Sequence, residues 1–219
     1  NDFARKNFAV LDTLYNFYFT SENQNISGLT LGIPGRHNVD NAISAVAVAI
    51  QMNLTPENFT SALQSYQGVK RRFEFQLRSP EITFIDDYAH HPEELRSLIK
   101  SAKSLFSKRK CTIIFQPHLF SRTRDFAKEF AESLDMADEI LLLPIYPARE
   151  LPIEGVSSHM ILREMKNENA RIISKEDLLQ FLKNDFLKSI EKNGSEELLI
   201  TAGAGNIDQL VEPIKNILD

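Results

Sequence analysis

The chain has 219 residues, of which 42% are hydrophobic and 25% charged, and its formal net charge of −5 excludes the broad basic surface typical of nucleic-acid-binding proteins. No apolar run approaches the roughly 20 residues that span a bilayer, and the first residues lack a signal pattern, so we predict a cytoplasmic protein without membrane insertion. The single cysteine, Cys111, excludes an internal disulfide and fits a reducing compartment.

The first part of the chain is predicted to be short and helix-rich. Residues 1–27 are rich in aromatic side chains and are compatible with strands cut from a larger sheet, and a glycine-rich turn follows at 28–35. Small and apolar residues all round 41–50 predict a buried helix. A Thr-Pro-Glu sequence from Thr55 has the pattern of a second helix start, and this helix should end near Tyr66.

From Arg71 onward, predicted strands and helices alternate. The predicted strands are 73–77, 82–86, 111–115, 139–145, 171–174 and 197–202, and the predicted helices are 92–106, 124–137, 157–165, 175–192 and 207–218. This alternation predicts a doubly wound, mostly parallel, Rossmann-like α/β domain over residues 73–219.

Polar or glycine-rich loops follow four of these strands, at 86–92, 116–124, 144–150 and 202–206. Ligands of open α/β sheets bind at the edge where the parallel strands end, and this coincidence therefore predicts a site there. The adjacent carboxylates of Asp86 and Asp87 repel each other and need positive partners or a ligand.

Several of these motifs have purely structural alternatives. Pro92 and the acids after it are also a helix start. Most of the histidines lie in the polar loops, but their spacing matches no zinc pattern, so no metal site is predicted. Gly203 and Gly205 lack the third glycine of a dinucleotide fingerprint, since Asp208 stands in its place, and we expect a turn into a helix with Asn206 as N-cap.

Asn38 and Asn41 allow two interpretations that the residues alone leave open. One of them is the N-cap of the alanine-rich helix, or both present amides to a purine ring.

Five motifs in order resemble the signatures of the Mur ligases, at 35–42, 68–74, 86–92, 115–123 and 144–150. The last two resemble the members that add L-alanine to UDP-N-acetylmuramate in peptidoglycan precursor synthesis. The resemblance covers nearly the whole chain from about Gly28. It implies a ligase that uses ATP to make an acyl phosphate, which the amine of the amino acid then attacks.

The resemblance also implies roles for single residues. Asn38 and Asn41 would lie by the adenine of ATP, and Arg72 and Asp87 near its phosphates and ribose.

The amino acid would be bound by Tyr88, His90, His118 and Arg122. The guanidinium of Arg122 would grip the alanine carboxylate, and Tyr88 with the two histidines, which are the candidate catalytic residues, would shape the amine end. The alternative for Arg122 is an ion pair with a nearby acid such as Asp125.

Parts of the family pattern are missing. The chain contains no Gly-x-x-x-x-Gly-Lys-Ser/Thr phosphate loop, and we expect that loop, the Mg²⁺ ligands and the UDP-binding domain in preceding segments of the same polypeptide. Residues 1–72 would then end a central ATP-binding domain, and the fragment alone should be inactive. Asn206 stands where the family often has an acid, and Leu119 where some members have arginine.

Two other functions stay open. A recycling ligase adds a preformed tripeptide to the same UDP-N-acetylmuramate acceptor and shares the aspartate and histidine motifs. A non-catalytic nucleotide-binding or protein-binding α/β module would explain the missing phosphate loop.

Overall fold

A computed structural model describes residues 4–5, 9–11, 14–21, 25–33 and 36–219. Contacts within the chain define two compact units, residues 1–69 and 70–219. The sequence-based boundary, after residue 72, stays a prediction. In the described ranges, no helix combines the length and the apolar character needed to cross a bilayer.

The first unit combines an antiparallel sheet with two helices. Its elements are β1 (Ala4–Arg5), β2 (Ala9–Leu11), β3 (Leu14–Thr20), β4 (Asn25–Leu31), α1 (Arg36–Gln51) and α2 (Pro56–Ser65). Strand β3 pairs with all three other strands. The strands expected within residues 1–27 and the two helices expected after them are both present. The strand pattern is clear along β3, where Phe17 and Phe19 are buried and Tyr18 between them is exposed.

Helix α1 begins at Arg36, earlier than its apolar pattern indicated. Asn38 and Asn41 therefore both lie inside the helix, and the interpretation of either as its N-cap was wrong.

The second unit contains a six-stranded sheet. Its strands are β5 (Glu74–Arg78), β6 (Ile82–Asp87), β7 (Lys110–Phe115), β8 (Glu139–Leu142), β9 (Ala170–Ile172) and β10 (Glu197–Ala202). They lie in the order β5-β6-β10-β7-β8-β9, with β5 antiparallel to β6 and all other neighbours parallel. This arrangement confirms the doubly wound, mostly parallel α/β fold.

Helices cover both faces of this sheet. They are α3 (Pro92–Leu105), α4 (Phe120–Asp125), α5 (Ala127–Leu134), α6 (Ser158–Glu164), α7 (Lys175–Phe181), α8 (Leu187–Asn193) and α9 (Val211–Leu218). Apolar residues of α3, α5 and α6 pack in one core, and those of α7, α8 and α9 pack in the other. A wide turn at 182–186 joins α7 to α8, and a tight helical turn at 206–210 precedes α9.

The helix predicted at 124–137 is two helices in the structure. Helix α4 begins at Phe120 and ends at Asp125. The helical conformation is interrupted at Phe126, where φ is −126°. The early start could not be predicted locally, because the residue before α4 is Leu119, which makes no side-chain cap. The capping group is a carboxylate from a distant loop, that of Glu150.

Candidate active site at the carboxyl edge of the sheet

Four aromatic and imidazole rings form a row along the edge where the parallel strands end. Tyr88 and His90, after β6, have ring centroids 5.2 Å apart. His90 lies 6.0 Å from His118, which follows β7, and His118 stacks on Tyr146, which follows β8, at 5.8 Å and 24°. The structure thus brings Tyr88, His90 and His118 together, as the sequence predicted from their positions after two parallel strands.

Strand β10 lies between β6 and β7, so the loop that follows it has to be small if the histidine loops are to meet. A Cβ atom on Gly203 would lie 2.7 Å from the carbonyl oxygen of Gln116. One on Gly205 would lie 2.5 Å from Gln116 Oε1 and 2.6 Å from Tyr146 Cβ. Close packing against β7 and β8 therefore explains both glycines without a bound dinucleotide.

Asn206 is not the N-cap that the sequence indicated. The N-cap position is Gly205, which makes no side-chain bond, and Asn206 is the first residue of the helical turn. Its Oδ1 accepts hydrogen bonds from Gln116 Nε2 at 3.0 Å and Lys175 Nζ at 2.6 Å. The side chain therefore links β7 to α7 rather than closing a helix.

The carboxylates at the end of β6 are held by different partners. Asp86 accepts from Arg71 Nε at 3.1 Å and from Thr201 Oγ1 at 2.7 Å, which gives it the positive partner that the sequence demanded. Asp87 accepts from the backbone N–H groups of Phe73 and Ala89, both at 2.7 Å. Burial is the largest influence on both groups and raises the pKa of each.

The two adjacent arginines before β5 differ in their partners. Arg71 also donates from Nη2 to the carbonyl of Gly203 at 2.5 Å, so it ties the start of the unit to the loop after β10. The guanidinium carbons of Arg71 and Arg72 lie 5.1 and 5.6 Å from the centroid of the Tyr88 ring. Within residues 38–192 and 194–219, whose side chains are described, Arg72 forms no ion pair, which leaves its donors for a ligand.

Helix α3 begins at the motif that was predicted from the sequence to start a helix. Pro92 is its first residue, and the Glu94 carboxylate accepts from the backbone N–H groups of His90 at 2.9 Å and His91 at 3.2 Å. His90 Nδ1 lies 2.9 Å from the carbonyl of Tyr88. Because a carbonyl only accepts, this contact is a hydrogen bond when Nδ1 carries the proton, and in that tautomer Nε2 is the acceptor nitrogen of the ring.

Arg122 lies on α4 with its Nη1 3.5 Å from His118 Nδ1. The alternative partner, Asp125, instead pairs with Arg124, whose Nε is 2.7 Å from Asp125 Oδ1, so the structure does not form the Arg122–Asp125 pair that was the alternative for Arg122. Burial, followed by the charges of Arg122 and His90, holds the pKa of His118 below its usual value of 6.5. At neutral pH His118 is thus an uncharged imidazole beside a guanidinium.

Two residues of this edge, Tyr146 and Glu150, were not among the predicted site residues. The backbone N–H of Leu119 donates to Tyr146 O at 2.9 Å, and that of Tyr146 to Pro117 O at 2.8 Å, so the loops after β7 and β8 are bonded to each other. Glu150 accepts from the backbone N–H of Ser121 at 3.0 Å and from its hydroxyl. Their membership of the motif at 144–150 was the signal that could have identified them.

Asn38 and Asn41 lie in the first unit. There they line a cavity of about 380 Å³ whose other walls are mostly apolar residues of β4, α1 and α2, such as Leu31, Ala45 and Phe59. The structure therefore places these two amides together, beside an apolar space.

Comparison with known proteins identifies the family. The sequence model of the family described as Mur ligase, glutamate ligase domain, matches residues 71–205. The UDP-N-acetylmuramate–L-alanine ligases of Flavobacterium psychrophilum and Parabacteroides distasonis are 42% and 43% identical over 100% and 99% of this chain.

A solved structure is similar to this chain over almost its whole length. The crystal structure of a UDP-N-acetylmuramate–alanine ligase from Thermotoga maritima has a TM-score of 0.78 and 25% identity over 99% of this chain. The chain spans about half the length of these relatives, at 47%, 45% and 45%. By the family model and by whole-chain similarity, the chain belongs to the Mur ligase family.

Proposed function

We propose that this chain forms the amino-acid-binding part of a ligase that joins L-alanine to UDP-N-acetylmuramate at the expense of ATP. The proposal rests on the position of Arg122, whose Nη1 lies 3.5 Å from His118 Nδ1. The ring of His118 in turn lies in one row with the rings of His90 and Tyr88. A cation next to an uncharged base suits a small amino acid, whose carboxylate and amine are separated by one carbon atom.

In this proposal the guanidinium of Arg122 binds the alanine carboxylate through two parallel hydrogen bonds. The ammonium group of alanine must lose a proton before it can attack, and the low pKa of His118 leaves its imidazole unprotonated and able to accept that proton. His90, through Nε2, is the second candidate for proton transfer.

The chemical step is an acyl transfer. ATP transfers its γ-phosphoryl group to the muramyl carboxylate and leaves as ADP. The amine nitrogen then forms a bond to the acyl carbon while the bond from that carbon to the phosphate oxygen breaks. The nitrogen gives up a second proton, and inorganic phosphate leaves. The chain's own residues would contribute mainly the placement of the amine, which is a large part of catalysis in such reactions.

Four residues are proposed to bind ATP. Asn38 and Asn41 would face the adenine, a role supported by two neighbouring amides beside an apolar cavity. Arg72 would bind the phosphates, a role supported by its lack of an ion pair among described side chains. Asp87 would accept from the ribose hydroxyls with the second lone pairs of its oxygens.

We place no Mg²⁺ on this chain. Among the described residues, no three histidine, cysteine, aspartate or glutamate side chains converge on one point. The metal ligands and the phosphate loop would come from the part of the relatives that this chain does not span, and a cytoplasmic location stays a prediction.

The decisive experiment is steady-state kinetics of the full-length protein with Arg122→Lys. Lysine keeps the charge but cannot form two parallel bonds, so the KM for alanine should rise by on the order of tenfold or more while that for ATP stays nearly unchanged. Arg124→Lys is the matched control, because it lies on the same helix and pairs with Asp125.

Three outcomes would contradict the proposal. A protein that uses a murein tripeptide in place of alanine would be the recycling ligase. One that binds ATP without alanine-dependent phosphate release would be a non-catalytic module. An equal effect of Arg122→Lys on both substrates would remove Arg122 from the alanine site and direct attention to Arg124 or Arg149.

A further inference from the structure

The first turn of α4 is fixed by a residue that lies far away in the sequence. The carboxylate of Glu150 binds Ser121 twice, through the backbone N–H at 3.0 Å and through the hydroxyl. These hydrogen bonds are the main reason why the pKa of Glu150 lies below its usual range. A charged acceptor at this end of a helix also compensates the positive end of the helix dipole.

Both loops joined by this contact have unfavourable backbone conformations. Leu119, just before α4, has φ +74°, and Ala148, two residues before Glu150, has φ +52°. Such conformations cost free energy in residues with a Cβ atom and persist only where the surroundings hold them. Here the surroundings are the backbone bonds between Leu119, Tyr146 and Pro117, together with the Glu150–Ser121 contact.

The same short helix carries Arg122, one residue after Ser121. Its guanidinium reaches back toward His118, the residue before Leu119. A shift of the first turn of α4 therefore moves Arg122 relative to His118, and Glu150 is the side chain that opposes that shift.

We infer that Glu150 is a positioning residue of the alanine site, which sets the distance between the carboxylate-binding Arg122 and the proton-accepting His118 by holding the start of α4. This inference rests on the proposed function. Glu150 acts through Ser121 because both of its carboxylate oxygens are engaged there.

The test compares three variants of the full-length protein: Glu150→Gln, Ser121→Ala and Glu154→Gln. Glu150→Gln removes the charge and replaces one carboxylate oxygen by an N–H₂ group that cannot accept a hydrogen bond, so the KM for alanine should rise on the order of tenfold while the KM for ATP is unchanged. Ser121→Ala keeps the carboxylate and its bond to the backbone, so it should raise the KM for alanine roughly threefold. Glu154→Gln, which removes an exposed acid from the same loop, should change neither.

Each outcome bears on the inference. If Ser121→Ala has no effect while Glu150→Gln has a large one, Glu150 contacts alanine directly and the positioning role is overturned. If Glu150→Gln raises both KM values equally, or lowers only the melting temperature, the residue is merely structural and the inference fails. If Arg122→Lys raises the KM for alanine and Glu150→Gln does not, the inference alone fails. A wild-type protein that does not add alanine defeats the proposed function instead.

Discussion

The two edges of the six-stranded sheet differ in how some of their arginines are engaged. At the edge where the parallel strands begin, Arg109 donates to the carbonyls of Ser79, Pro80 and Glu197. Beside it, Glu139 pairs with Lys110 at 2.6 Å and with Arg171 at 2.9 Å. At the edge where the strands end, Arg72 and Arg122 form no ion pair within the described side chains.

The backbone conformations also differ between the two edges. Five described residues other than glycine have φ in the left-handed region, and four of them lie in loops at the carboxyl edge: Arg71, Phe73, Leu119 and Ala148. The carboxyl edge therefore holds two arginines without an ion pair and most of the unfavourable backbone conformations, which a ligand or the surrounding structure must stabilise. This division is typical of a binding site built on a rigid scaffold.

The largest effect that would test this comparison is expected for Gly205→Ala. The new Cβ would meet Gln116 Oε1 at 2.5 Å and Tyr146 Cβ at 2.6 Å, so the loops after β7 and β8 would be forced apart. We expect a loss of about 2 kcal/mol or more of unfolding free energy, together with loss of the proposed alanine addition by the full-length protein. Gly194→Ala is the control, since its Cβ would meet nothing within 4 Å and only the φ of +60° is unfavourable, at a cost of about 1 kcal/mol. Equal costs in chemical denaturation would show that crowding does not shape this edge.

A smaller effect, on stability alone, is expected at the opposite edge. Arg109→Ala removes charged hydrogen bonds to three carbonyl groups and should lower the free energy of unfolding by about 2 kcal/mol. The KM values for alanine and ATP of the folded protein should not change. Arg122→Ala should have the opposite pattern of effects. It should lower the free energy of unfolding by less than about 0.5 kcal/mol and raise the KM for alanine strongly. The comparison breaks down if both variants lose stability equally.

The smallest effect is a change in the titration of His118. Its pKa lies below 6.5 partly because of the charge of Arg122, so Arg122→Gln should raise that pKa, as followed by NMR of the imidazole ring. In the wild type, the unfolded state binds a proton near pH 6.5 before the folded state does. The stability that His118 contributes is therefore present above this pH and is lost as the pH falls through the unfolded pKa to the folded one. An unchanged pKa in the variant would show that Arg122 does not act on the ring.

The fold could be predicted well from local patterns and the site only in part. Continuous apolar strands and amphipathic helices indicated a parallel sheet, and the polar strand ends indicated its functional edge. Neither pattern showed that β10 inserts between β6 and β7, since strand order depends on contacts between distant residues. The same limit explains the misplaced start of α4, because its cap lies at Glu150.

The position of β10 has a consequence for how the protein is made. Among the described strands it is the last to be synthesised, yet it lies in the middle of the sheet, and its Thr201 bonds to Asp86, which is 115 residues earlier in the chain. At ordinary rates of translation, β6 and β7 leave the ribosome on the order of ten seconds before β10 can join them. During that interval their edges are unpaired, and such edges invite association with other chains. Partners that protect nascent chains are therefore expected to matter most between the synthesis of residue 115 and that of residue 202.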